Sequence, residues 1–130
     1  MTNFKLSSTS KRRIVGVDPR INKIIAMALE ISNVDFGIPE HGGIRTAEQQ
    51  SELFARKLSK CDGWAKMSAH QSGKAFDVYA YVDGKASWDS HHLTQVAVAV
   101  LQASCMLNYK LEWGGLWTTF LDMPHFQLID

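Results

Sequence analysis

The sequence predicts an α+β fold: a small, mainly antiparallel sheet flanked by about three helices. Three observations lead there. Residues 18–32 and 89–108 carry apolar side chains at helical spacing. Residues 75–82 alternate between two faces and run into Asp83-Gly84, a strong hairpin signal. The elements follow one another as helix, helix, strand, helix, strand, strand, so helices and sheet segregate instead of alternating.

Each element has a local reason. Residues 1–15 set Lys5, Lys11, Arg12 and Arg13 among serines and threonines. They read as a flexible basic arm; a patch that meets an anionic wall or membrane is the less favoured alternative. Asp18 caps the first helix and Pro19 suits its first turn. Ile21, Ile24, Ile25, Ala28 and Leu29 form its apolar stripe. Residues 36–44 are extended and turn-rich, with Gly37, Pro39, Gly42 and Gly43. Thr46 and Gln49 make a capping box for a second helix, with Leu53, Phe54 and Leu58 as its buried stripe. That helix fades near Lys60, and residues 61–72 form a loop. In the strand, Phe76, Val78 and Ala80 face one way and Asp77, Tyr79 and Tyr81 the other. The longest helix turns Leu93, Val96, Ala97, Val100, Leu101 and Met106 to the core, with Cys105 as a small core residue. Short strands at 110–113 and 125–129 close the chain.

Composition narrows the function classes. A length of 130 residues, 45% hydrophobic and 21% charged, fits one soluble domain spanning 1–130 with its own core. A formal charge of +1 offers no concentrated basic surface, so nucleic acid is not an expected partner. The basic start is not followed by an apolar segment and a cleavage site, so no signal peptide is expected. The most apolar stretch, residues 96–107, is broken by Gln102 and Ser104 and is too short to span a bilayer. The expectation is a protein made in the cytoplasm, not inserted in a membrane, and monomeric by default. Cys61 and Cys105 are far apart and fit neither a disulfide framework nor a cysteine zinc site.

Two segments carry chemistry. In residues 68–77, SAHQSGKAFD, His70 offers a neutral nitrogen and Asp77 an anionic oxygen, both suited to zinc. Gly73 lets the chain turn tightly between them. In residues 122–126, DMPHF, His125 offers a third ligand, and Asp122 is a carboxylate held close without binding. Three protein ligands and one open position is the layout of a catalytic zinc site, with a nearby carboxylate as general base. Taken singly, each residue has a duller explanation: a hydrogen-bonded histidine, or an aspartate capping a turn. His91 and His92 are adjacent on a helix and point apart. His41 lies in a glycine-rich turn.

The run SAHQSGKAFD resembles the SxHxxGxAxD motif of the zinc D-Ala-D-Ala peptidase and L-alanyl-D-glutamate peptidase superfamily. The tail WGGLWTTFLDMPHF is similar to the WGGxWxxxxDxPHF ending of its phage endolysins. Gly43-Ile44-Arg45-Thr46, with Gln49 and Gln50, resembles the G-x-R-[ST]-x-x-x-Q segment, and YVDGKASW resembles the strand-turn-strand that follows the zinc aspartate. The resemblance runs from about residue 20 to the C-terminus and implies the Hedgehog/D-Ala-D-Ala peptidase-like fold.

It also implies roles. His70, Asp77 and His125 would bind Zn2+. Asp122 would be the catalytic acid/base, where many relatives carry Glu. Arg45 would grip a substrate carboxylate or stabilise the oxyanion. Ser68 would bind substrate or orient His70. Trp113 and Trp117 would bind substrate as a cleft wall; an aromatic core around a tight turn is an equal alternative. Glu112 would hold a zinc histidine from behind, or be a solvated strand residue. The implied function is hydrolysis of the peptidoglycan stem peptide, as an L-alanyl-D-glutamate endopeptidase of phage endolysin type that reaches the wall after release from the cytoplasm. The alternatives are a D-Ala-D-Ala carboxypeptidase or dipeptidase, and a non-catalytic, zinc-stabilised binding module.

Overall fold

A computed structural model describes residues 4–130. Helices α1 (Ser8–Arg13) and α2 (Pro19–Ile31) are followed by β1 (Asp35–Gly37) and α3 (Ala47–Ala55). Then come β2 (Ala75–Asp77), β3 (Tyr79–Val82), β4 (Lys85–Ser87), α4 (Ser90–Met106), β5 (Leu111–Trp113) and β6 (His125–Leu128). Short 3-10 turns lie at Ala69–Ser72 and Gly114–Leu116. The strands form two antiparallel sheets, ordered β1-β3-β4 and β2-β6-β5. The α+β class is as the sequence predicts.

The strand expected over residues 75–82 is two strands, one in each sheet. The break comes at Val78, whose N–H donates to the Pro124 carbonyl at 3.0 Å. Phe76, Val78 and Ala80 are all fully buried, so the chain changes sheets without changing face. The alternation was therefore a true signal of burial and a poor signal of pairing. Asp83 (φ 53) and Gly84 (φ 77) make the tight turn between β3 and β4 with both residues left-handed.

α2 packs along α4 and together they form most of the helical layer. Ile21, Ile24, Ile25 and Ala28 share one buried core with Leu93, Val96, Ala97 and Val100 of α4 and with Phe76, Val78 and Phe126 of the sheets. In the second sheet Phe76 stacks on Phe126 at 5.2 Å between ring centroids. Cys105 and Met106 are exposed, against expectation. They lie in the last turn of α4, and the neighbouring Ala103 and Ser104 face inward instead.

Two further departures concern polar anchoring. The N-terminal segment is not a flexible arm over residues 8–13, which form α1. Ser7 accepts from the Ser10 N–H to cap it, and Lys11, Arg12 and Arg13 fill its last turn, where cations suit the helix dipole. Buried Ser10 accepts from the Ile38 N–H at 2.9 Å, and Arg13 donates to the Ile38 carbonyl at 2.9 Å. Residues 1–3 of the expected arm lie outside the described residues. In α3 the capping box forms as read, but Phe54 and Leu58 are exposed and the helix ends at Ala55. Its buried residue is Gln50. Hydrogen bonds, not an apolar stripe, hold this helix.

The start of α2 ties the helical layer to the loop before β2. Asp18 accepts from the Arg20 N–H at 2.9 Å, and its carboxylate also meets Arg20 Nη2 at 2.9 Å and Lys74 Nζ at 3.1 Å. The Arg20 hydrogen bond is the main reason the Asp18 carboxyl is held well below the usual carboxylate range. Asp18→Ala should destabilise the fold by about 1 kcal/mol through the lost cap. A depressed folded pKa adds stability above the unfolded value of ~4 and loses it as pH falls. Urea melts should therefore show a gap between wild type and variant at neutral pH that narrows in acid. An unchanged gap would argue against the ionised cap.

Candidate active site

Three side chains from two elements and a loop converge at one end of the second sheet. Ser68 caps the Ala69–Ser72 turn, its hydroxyl accepting from the His70 N–H at 3.2 Å. Gly73 (φ 74) closes the turn in the left-handed region that glycine tolerates. This delivers His70, 1% exposed, beneath a cleft. Its Nδ1 lies 2.8 Å from the Gly43 carbonyl. A carbonyl only accepts, so Nδ1 carries a proton, and Nε2 is the nitrogen left to ligate a metal. Gly43 must be glycine for this contact, because a Cβ there would collide with the Arg13 carbonyl of α1.

Asp77 on β2 and His125 on β6 are directly opposite in the antiparallel register. Asp77 Oδ1 lies 3.2 Å from His70 Nε2 and 3.1 Å from His125 Nδ1, and the two ring nitrogens are 3.2 Å apart. Each residue thus offers a ligand atom within 4.8 Å of the others. Two imidazole nitrogens and one carboxylate oxygen are donors that suit zinc. The group fits a metal ion on its chemistry as well as its spacing.

The electrostatics follow from this crowding. Burial alone would raise the Asp77 carboxyl, but His70 and His125 hold it far below the usual range. Burial would lower the His125 imidazole, but its bond to Asp77 raises it instead. Asp122 is raised, first by burial and then by the Asp77 charge.

Arg45 enters the cleft with much of its guanidinium already committed. Nε donates to the His41 carbonyl at 2.8 Å, Nη1 to Gln50 Oε1 at 3.0 Å and Nη2 to Asp77 Oδ2 at 2.9 Å. Gln50 is itself fixed by donating to Ser59 Oγ and the Cys61 carbonyl, at 2.7 and 2.8 Å. Arg45 therefore pins Asp77 from behind while its own edge lines the cleft. The buried role of Gln50 has no apolar signature. Its one trace in the sequence is its place in the segment with Arg45.

The tail of the chain builds the opposite wall. Asp122 lines the cleft, and its backbone N–H donates to the Gly114 carbonyl at 3.0 Å. A Cβ on Gly114 would collide with the Asp122 carbonyl, so this close return needs glycine. Trp117 lines the cleft, its ring 5.2 Å from that of His125. Trp113 does not. It is buried, stacks on Phe126 and donates its indole N–H to the Met123 carbonyl at 2.6 Å. The aromatic-core reading holds for Trp113, which supports the loop that presents Asp122. The cleft has a volume of about 510 Å³, with Leu58, Lys60 and Phe120 on its rim.

Glu112 reaches no histidine directly. It accepts from Gln127 Nε2 at 2.7 Å, and Gln127 Oε1 lies 2.7 Å from His125 Nε2. Gln127 escaped the sequence reading, although it sits two residues after His125 on one strand and so shares its face. His92 lies apart, bonded to Ser87. Among the described residues, no helix is long and apolar enough to cross a membrane.

A family model of phage L-alanyl-D-glutamate peptidases matches residues 1–129. The chain is 34% identical over 116 residues to the L-alanyl-D-glutamate peptidase of Escherichia phage T5, covering 88% of this chain and 82% of that protein. Its structure is similar to that of the L-Ala D-Glu endopeptidase ChiX of Serratia marcescens. That match has a TM-score of 0.84 and 34% identity, and covers 98% of this chain and 92% of the other.

Proposed function

The chain belongs to the phage L-alanyl-D-glutamate peptidase family, and from that membership and the geometry of the cleft we propose that it is a zinc-dependent endopeptidase of endolysin type. It hydrolyses the L-Ala–D-Glu bond in the stem peptide of peptidoglycan. The observation that carries this reading is the convergence of His70 Nε2, Asp77 Oδ1 and His125 Nδ1 in a cleft that also presents Asp122.

A zinc ion held by those three atoms supplies Lewis acidity, which polarises a carbonyl and acidifies water. The chain's own groups do the rest. Asp122 accepts a proton from the attacking water and gives it to the leaving amine. Burial and the Asp77 charge both raise its carboxyl, which favours taking up a proton. Arg45 fixes Asp77 through Nη2, and its remaining N–H groups serve the substrate carboxylate or the oxyanion. Ser68 orients His70 through the turn it caps. Trp117 packs beside the stem peptide.

Digestion of purified peptidoglycan, with fragments read by mass spectrometry, tests the bond assignment. New peptides beginning with D-Glu are expected. Loss of terminal D-Ala alone would place the chain with the carboxypeptidases. No cleavage by folded, zinc-loaded protein would leave a binding module.

A further inference from the structure

We infer that Gln127 and Glu112 form a relay that locks His125 in the tautomer needed to bind metal through Nδ1, which makes Gln127 a positioning residue. The inference rests on the zinc reading above for its purpose, and on hydrogen-bond polarity for its direction.

Glu112 on β5 and Gln127 on β6 are opposite one another in the register, so their side chains are neighbours on one face. A carboxylate can only accept, so the Gln127 atom 2.7 Å from Glu112 is its amide nitrogen. That fixes which way the amide points. Its oxygen must then be the atom 2.7 Å from His125 Nε2. An amide oxygen also only accepts, so Nε2 carries the proton. Nδ1 is then the nitrogen turned to Asp77 and His70, the one that would give its lone pair to a metal ion. The Gly43 carbonyl imposes the mirror arrangement on His70, with Nδ1 protonated and Nε2 turned to the site. Each histidine is thus held by an acceptor on its outer nitrogen, one from the backbone and one through a polarised side-chain pair. The partner behind a ligating imidazole commonly matters 10–100-fold in metal affinity, as an order-of-magnitude guide.

The relay makes a directional prediction. Gln127→Leu removes the acceptor. The double variant Glu112→Gln/Gln127→Glu exchanges the two groups, so that a carboxylate accepts from Nε2 and an amide donates to it. Zinc affinity would be measured by competition with a chromogenic chelator. The Nε2–H···O bond would be read in the zinc-loaded protein as the slowly exchanging imidazole N–H of His125 in nitrogen-edited NMR. Wild type should show Nε2–H at His125. Gln127→Leu should lose that protected signal and bind zinc roughly 10–100-fold more weakly. The exchanged pair should restore both, which a general packing defect would not allow, and it reads the relay even if Gln127→Leu fails to fold.

Wild-type affinity and an Nε2–H signal in Gln127→Leu would overturn the relay. So would a raised KM with zinc affinity unchanged, which would make Gln127 a substrate contact. Wild type that binds no zinc would overturn the relay's purpose together with the zinc reading. Zinc binding with no peptide cleavage would sink the endopeptidase alone and leave the relay standing.

Discussion

Asp122→Asn should lower kcat by about 10²–10⁴-fold while zinc content and melting temperature stay close to wild type. The separation is possible because the backbone, not the side chain, of Asp122 holds the loop. Its N–H donates to the Gly114 carbonyl, and its own carbonyl accepts from the His125 N–H at 3.2 Å. Asparagine keeps that scaffold and the side-chain volume but cannot take up a proton. The carboxyl is poised for the task by its surroundings: burial and the Asp77 charge both favour its protonated form. Initial rates on purified sacculi, beside metal analysis of the same sample, make the check. Near-normal turnover would assign the proton transfer to another group.

His70→Ala should abolish zinc binding and activity and also weaken the metal-free fold. The ring is almost wholly buried and its Nδ1–H satisfies the Gly43 carbonyl. Removing it orphans that acceptor, at about 1–3 kcal/mol, before any cost of the cavity. His125→Ala should lose zinc as completely, but with a smaller effect on the metal-free protein. Its outer nitrogen faces the Gln127 side chain, which can turn to other partners, whereas the Gly43 carbonyl is fixed in the backbone. Chelator-treated samples of both variants and wild type, melted in parallel, test the difference. Equal melting temperatures for all three would contradict the role given to Gly43.

These expectations draw on residues of unequal visibility in the sequence. Asp18 and Thr46 cap the helices they were read to cap, because a cap needs only its own first turn. The Asp83-Gly84 turn is local in the same way. His70, Asp77 and His125 were legible through the resemblance of their segments to the peptidase motifs, and the fold brings them together along with Asp122, Arg45 and Trp117. What stayed hidden depends on distant partners. The switch of sheets at Val78 is set by the Pro124 carbonyl, far along the chain. α1 is anchored by Ser10 and Arg13 on Ile38, and polar anchors leave no periodic apolar trace. Trp113 and Trp117 share one motif but divide between core and cleft, because the turn at Gly114–Leu116 reverses the chain between them. Gln127 does its work through hydrogen bonds to Glu112 and His125, side chains that the sequence sets apart from it in role.

Cleavage should require one zinc ion at His70, Asp77 and His125. The most direct test is a zinc titration of chelator-stripped protein, following release of D-Glu-terminated peptides from peptidoglycan. The stripped protein should be inactive and recover fully at one equivalent of zinc, with no recovery in His125→Ala. Full activity in verified metal-free protein would contradict the zinc requirement.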